Sequence, residues 1–284
     1  MGDEPIQRVI GTERRNSAGC RLWCCRSASV IRTLSIAAVA VAVVLCGAFF
    51  RGSPPAVRVP VLVYHRLGPL RLDSMTVTTP VFQEQMKLIH DGGYHVIPIR
   101  ELIDYLRGTG PAPPPKSVVL TADDGHHSIF EDMYPVAKEY NFPVALFIYP
   151  SAISNARWAM TWEELQTLQD SGLFDIQSHT YWHPNFRKEK ERRSPADYAK
   201  FVDWQLLHSK EVLENRLGKP IDLVAWPFGI YTPWLMSEAA KCGYIAAFSI
   251  ERRPVTRSDN MMALPRFMVT DGDRGHRFEE LLQE

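Results

Sequence analysis

Past Cys46 the sequence has a single cysteine, Cys242, so its larger C-terminal part can close no internal disulfide. Cys20, Cys24, Cys25 and Cys46 all fall in the first fifty residues. An oxidising compartment tolerates such a domain, but packing alone must hold it together. No second ligand pair follows the cluster at Cys20, Cys24 and Cys25, so it stays an unassigned feature of the tail. Net charge is absent too: 32 Lys and Arg balance 32 Asp and Glu, for a formal charge of +0 at pH 7. That balance gives no reason to expect nucleic acid or an acidic partner. Internal repeats and a second domain are also missing, and 284 residues suit one sizeable core.

Charge is missing again over one continuous stretch, residues 33–50. At about 1.5 Å per residue the run spans roughly 27 Å, close to a hydrocarbon core. Arg8, Arg14, Arg15, Arg21, Arg26 and Arg32 precede it, against Asp3, Glu4 and Glu13. That asymmetry predicts a cytoplasmic N-terminus and an exported C-terminal part. A cleaved signal peptide competes with this reading, but its leading region would be long and no clear small-x-small site comes after the run. The expected organisation is a basic cytoplasmic tail (1–32), a single-pass anchor in a bacterial inner membrane (33–50), a spacer (51–56) and an exported catalytic domain (57–284), periplasmic or extracellular.

Beyond the spacer the chain alternates between two periodicities. Strands are expected at Val59–His65, Tyr94–Ile97, Val118–Leu120 (with Asp123 and Asp124 at its C-terminal end), Val144–Tyr149, Phe174–Gln177, Leu223–Trp226, Tyr244–Ser249 and Ala263–Phe267. Helices are expected at Val81–Asp91, Arg100–Arg107, Ile129–Tyr140, Thr161–Ser171, Pro195–Leu217 and Trp234–Cys242. Repeated strand–helix units imply a parallel sheet with right-handed crossovers. The fold class is α/β: a distorted (β/α) barrel of seven or eight units, preceded by one N-terminal transmembrane helix.

The third strand ends abruptly in Asp123, Asp124 and Gly125. Neighbouring carboxylates at the C-terminal end of a buried strand repel each other and call for a nearby cation. A helix N-cap or an Asx turn is the competing reading. His65, Asp123 with Asp124, His179 and Pro227-Phe228-Gly229 each follow a different strand, and a barrel gathers those ends at one mouth. His179 and His183, four apart, would face the same way on a helical turn; with one carboxylate they make a two-histidine, one-acid metal set. Two surface histidines in a loop are the alternative.

Three ordered segments carry a resemblance: Thr121-Ala122-Asp123-Asp124-Gly125, Ser178-His179-Thr180-Tyr181-Trp182-His183-Pro184 and Trp226-Pro227-Phe228-Gly229-Ile230-Tyr231. Together they resemble the motifs of the polysaccharide deacetylases, carbohydrate esterase family 4. Val61–His65 and Leu264-Pro265-Arg266 are similar to the branch containing poly-N-acetylglucosamine deacetylases. The resemblance implies that Asp124, His179 and His183 hold one divalent metal ion: zinc, cobalt, nickel or iron. It implies Asp123 as general base, His65 as general acid, and the Phe228 N–H as part of an oxyanion site. Trp182 and Tyr231 are the accompanying substrate candidates. Three departures stand out. Ala122 replaces a usual phenylalanine, Ala225 replaces a usual arginine, and no late histidine motif comes after Arg266. Arg266 is the candidate for the missing charge, and His276 is the one late histidine left.

The expected chemistry is hydrolysis of N-acetyl groups on an N-acetylhexosamine glycan, whether exopolysaccharide, peptidoglycan or lipid-linked, with envelope polysaccharide machinery as a candidate partner. An O-acetyl polysaccharide esterase and a non-catalytic glycan-binding envelope protein are the alternatives. Trp158, Trp162, Trp182, Trp226 and Trp234 divide between sugar stacking and core packing. Arg187–Arg193 mixes both signs and reads as a solvated loop or helix start, in preference to an anionic-polymer site. His126 follows Gly125 closely enough to touch substrate.

Overall fold

The computed structural model describes residues 57–284. The expected tail, membrane span and spacer lie outside the described residues; among those described, no helix is long and apolar enough to cross a membrane.

Eight strands pair in parallel in one sheet: β1 (Val61–Tyr64), β2 (His95–Val96), β3 (Ser117–Asp124), β4 (Val144–Ile148), β5 (Phe174–Ser178), β6 (Leu223–Ala225), β7 (Ala246–Phe248) and β8 (Phe267–Met268). Their order is β7-β6-β5-β4-β3-β1-β8, with β2 pairing only the first residues of β3. The helices are α1 (Thr79–Asp91), α2 (Ile99–Arg107), α3 (Tyr134–Tyr140), α4 (Trp162–Asp170), α5 (Phe186–Glu191), α6 (Pro195–Leu217), α7 (Pro233–Lys241) and α8 (His276–Gln283).

The ring closes through a seam between β7 and the chain leading into β8. Leu264 N–H donates to Ala247 O (2.8 Å), and Ser249 N–H donates to Leu264 O (2.8 Å). Pro265 then has no N–H to give, so the expected strand Ala263–Phe267 shrinks to a single bridge at Leu264 followed by β8. The barrel is distorted where sequence chemistry interrupts its ladder.

Period-two alternation sorts β3. Val119 faces inward with Val61, Ala145, Phe147, Ala225, Ala246 and Phe248. Val118, Leu120 and Ala122 face outward with helical residues such as Phe82, Met86 and Leu206. Arg266 is wholly buried inside the barrel, its guanidinium 5.3 Å from the Phe147 ring and 5.9 Å from that of Phe248.

Two caps behave as their residues dictate. Thr161 accepts from Glu164 N–H while Glu164 returns a bond to Thr161 N–H, a capping box at α4. Ser194 caps α6, Pro195 opens it, and Gly218 at φ +63° ends it. Elsewhere the structure corrects the expectation. Ile129–Met133 is a π-helical turn ahead of α3 instead of one continuous α-helix. The Arg187–Arg193 run, expected as a solvated loop or helix start, is mostly the short helix α5, capped by Asn185. The helix α8 and the short pairs Arg58–Val59 with Val255–Thr256 and Arg66–Gly68 with Thr76–Thr78 were not anticipated.

Candidate metal centre and hydrolytic site

Strand alternation would point Asp123 into the barrel and Asp124 away from it. Asp123 obeys: it is buried in the interior. Asp124 escapes the alternation through a turn. Gly125 N–H donates to Asp123 O (2.9 Å) around Asp124 at φ +70°, a three-residue left-handed turn. Gly125 comes next at φ +77°, with Ile148 and Ile153 about to touch any added Cβ (3.0 and 3.1 Å).

His179 and His183 do not share a helical turn. They flank a bent loop in which Thr180 (φ +65°) and His183 (φ +63°) are left-handed, and this bend brings the rings to 4.6 Å. Both Nε2 atoms lie 3.7 Å from Asp124 Oδ1. One donor atom from each of Asp124, His179 and His183 fits within 4.8 Å of the others. Ligands about 2.1 Å from a tetrahedral ion sit roughly 3.4 Å apart, so the set is the right size for one cation.

The chemistry of the donors agrees. His179 Nδ1 pairs with Ala225 O (2.8 Å), which fixes the proton there and turns a bare Nε2 inward. Burial pushes His179 down to about 3, and lowers His183 as well, so both imidazoles are neutral and ligand-ready. Asp124 is pushed up to about 7 by burial and by the adjacent Asp123 charge. Its buried Oδ1 has no hydrogen-bond partner. A cation between the three is what would satisfy that oxygen.

Asp123 lives in a different field. Burial raises its proton affinity, but the Arg266 charge, His179 and the Arg266 hydrogen bonds overcome this and hold it at about 2. Arg266 grips it with both arms: Nη1 to Oδ1 (2.8 Å) and Nη2 to Oδ2 (2.6 Å). The guanidinium also donates to Ser249 O (3.0 Å) and Thr121 Oγ1 (3.2 Å), and it lies 5.3 Å from the Phe147 ring. The arginine thus reaches Asp123 from the seam, while position 225 is a buried alanine whose carbonyl orients His179.

His65 lines a cavity of about 230 Å³ with Arg66, Asp124, His126, Tyr149 and Trp158. Burial lowers its pKa to about 4, with Asp123 opposing and Arg266, His183 and Arg66 adding to the fall. Tyr149 and Arg66 are site residues that sequence reasoning missed. Their one signal was position, since each stands at or just past a strand end. The Tyr149 ring lies tilted against His183 at 5.3 Å and against Trp158 at 5.9 Å, and Trp158 stacks on His126.

On the opposite side Phe228 lies 4.6 Å from His183, ring to ring. It holds φ +56° in the turn Pro227–Gly229, which Gly229 and Ile230 close with their own N–H groups. A bulky residue so placed stores roughly 1–2 kcal/mol of strain, a cost that clusters at functional sites. Gly229 must be glycine: at φ +64° a Cβ would sit 2.5 Å from Ile250 Cγ1. Gly229→Ala is expected to lower turnover at least tenfold by displacing Phe228, and the added Ile250→Ala change to restore part of it. An unaltered rate in Gly229→Ala would detach this turn from the site.

Other candidates separate. Trp182 is exposed and packs on Phe201, and its N–H donates to Gln205 Oε1. Tyr231 donates its hydroxyl to Glu251 and lines a separate cavity. Trp226 is core, with its Nε1–H given to Met262 O (2.9 Å), and Trp162 is partly buried against the core. His276 is excluded as a site residue: its side chain is 82% exposed and pairs with Glu279 and Glu280.

Residues 110–247 match the polysaccharide deacetylase family model. The Bacillus subtilis protein YxkH is 26% identical over 231 residues, spanning 81% of this chain and 78% of that one. The poly-beta-1,6-N-acetyl-D-glucosamine N-deacetylase of Staphylococcus aureus is 24% identical over 226 residues, 78% of this chain and 76% of that one. Among solved structures, the Streptococcus pyogenes deacetylase PplD superposes with a TM-score of 0.72 at 20% identity, covering 81% of this chain and all of that one. IcaB from Ammonifex degensii gives 0.70 at 23% identity, over 80% of this chain and 97% of that one. These structures share the barrel fold.

Proposed function

We propose that this chain, whose residues 110–247 match the polysaccharide deacetylase family model, removes N-acetyl groups from an N-acetylhexosamine glycan with the help of one divalent metal ion. The observation that carries this reading is the juxtaposition of the Asp124–His179–His183 cluster with an Asp123 kept ionised by Arg266. What a bound ion would supply there is Lewis acidity, lowering the pKa of water and polarising the acyl oxygen.

The chain's own groups do the rest. Asp123, ionised and fixed by two hydrogen bonds, takes a proton from the attacking water. The Phe228 N–H is the donor we assign to the charge that develops on the acyl oxygen. His65 is neutral in the free site; a developing negative charge beside it raises its proton affinity, so it takes up a proton from solvent and passes it to the leaving nitrogen, while Asp123 gives the proton it took from water back to solvent. The carbon–nitrogen bond breaks, acetate departs, and the sugar keeps a free amine. Zinc suits two histidines and one carboxylate, as do cobalt, nickel and iron. The uncharged run 33–50 and its arginine-rich approach support an inner-membrane anchor with the domain exported.

Acetate release by the full chain from N-acetylglucosamine oligomers, with and without chelator, tests the reading. Chelation is expected to abolish release and added zinc, cobalt or nickel to restore it. Asp124→Ala or His183→Ala is expected to cost at least tenfold in metal affinity and nearly all turnover. Full activity in a metal-free Asp124→Ala protein would overturn the assignment. Release confined to O-acetyl substrates would turn it into an esterase.

A further inference from the structure

A second cavity, of about 470 Å³, opens between the segment that comes after His183 and the segment that comes after Phe228. Its walls combine two kinds of side chain. Tyr198, Tyr231 and Trp234 supply aromatic surface, with the Tyr198 and Trp234 rings 5.4 Å apart. Arg187, Lys190 and Arg193 supply positive charge. The chain as a whole is neutral, so this concentration of one sign is local.

The cations are not all spent on neighbours. Arg193 pairs with Glu189 and lies 4.0 Å from the Phe201 ring. Glu189 also takes Arg192. Among the described residues neither Arg187 nor Lys190 forms an ion pair, and both are exposed at the cavity. Glu251 accepts the Tyr231 hydroxyl. Aromatic faces hold sugar rings and a cationic rim holds an acid. The cavity starts three residues past one metal-ligand candidate and two past Phe228, so both of its walls run on along the chain from the site.

We propose that this cleft is a subsite for a sugar unit bearing an acidic substituent, carboxylate or phosphate, adjacent to the N-acetylated unit at the metal centre. The proposal rests on the deacetylase reading. It carries a corollary: a unit already stripped of its acetyl group bears an ammonium, which Arg187 and Lys190 repel, so the cleft disfavours deacetylated neighbours.

The test uses the full chain and three oligomers of equal length. One is neutral N-acetylglucosamine, one alternates with N-acetylmuramic acid, and one carries 6-phosphates. An acidic oligomer is expected to show at least a tenfold higher kcat/KM than the neutral one at low salt, with the advantage falling as salt rises. Which acidic oligomer gains identifies the group. In the Arg187→Glu, Lys190→Glu double variant the advantage should vanish, with the neutral oligomer turned over within twofold of the parent. Equal turnover of all three by the parent, or equal slowing of all three in the variant, overturns the proposal. Should none of them release acetate, the deacetylase reading fails and tryptophan-fluorescence titration reads the cleft directly. Tighter, salt-sensitive binding of an acidic oligomer that the variant abolishes supports the subsite, and equal binding of all three refutes it.

Discussion

Asp123→Asn is expected to bind its divalent ion normally and to release acetate about 10²–10⁴-fold more slowly. The three metal-ligand candidates are untouched by the change, because Asp123 belongs to the interior-facing series of β3 and Asp124 leaves that series through its turn. An asparagine is nearly the same shape and its Oδ1 can still accept from Arg266, so the side chain should stay in place. What it lacks is the capacity to take a proton. The measurement is metal stoichiometry beside turnover on N-acetylglucosamine oligomers. Turnover within tenfold of the parent at full metal occupancy would remove Asp123 from the role of base. Loss of metal with loss of turnover would show that Asp123 is part of the ligand set, which its 3.8 Å separation from His179 Nε2 makes a real contrast to test.

The sequence made the barrel legible because its strands are buried on both faces and read as apolar runs, β3 above all. It made the mouth legible because polar residues ended several of those runs. The local backbone was harder. Asp124, Thr180, His183 and Phe228 all adopt positive φ, yet none is glycine, so composition carries no mark of the bends that assemble the site. For that reason the histidine pair reads naturally as one helical turn and is in fact a strained loop. Spacing alone cannot tell a ring at the surface from one in the core: Trp226 and Trp182 flank similar motifs, but one donates its indole N–H inside the protein and the other faces solvent. Arg266 was legible as a charge seeking a partner, but its route was not. The route runs through the seam, where Leu264 bridges β7 and Pro265 interrupts the ladder just ahead of Arg266.

Removing that arginine should be the most disruptive single change in the domain. Arg266 is wholly buried, and its charge is the largest influence opposing the burial of Asp123. Arg266→Met leaves a buried carboxylate without its partner, which typically costs about 3–5 kcal/mol. The sign with pH comes from the same balance. In the parent, Asp123 titrates at about 2, below its ordinary 3.8, so its contribution to stability is present above pH 4 and is lost only as the pH falls through 2. In Arg266→Met, burial and Asp124 push the Asp123 pKa upward. Stability should then fall as the pH rises through the neutral range and recover on mild acidification, the reverse of the parent's trend. Turnover should move the opposite way and be lost on mild acidification, where Asp123 is protonated and cannot act as base. The double variant Arg266→Met, Asp123→Asn separates the two roles: with no buried charge left unpaired it should regain most of the lost stability while staying inactive. Urea-unfolding midpoints of the three proteins from pH 5 to 8 decide the matter. If Arg266→Met proves as stable as the double variant at pH 8, the ion pair is not what holds Asp123 in its charged state, and the metal centre must do so instead.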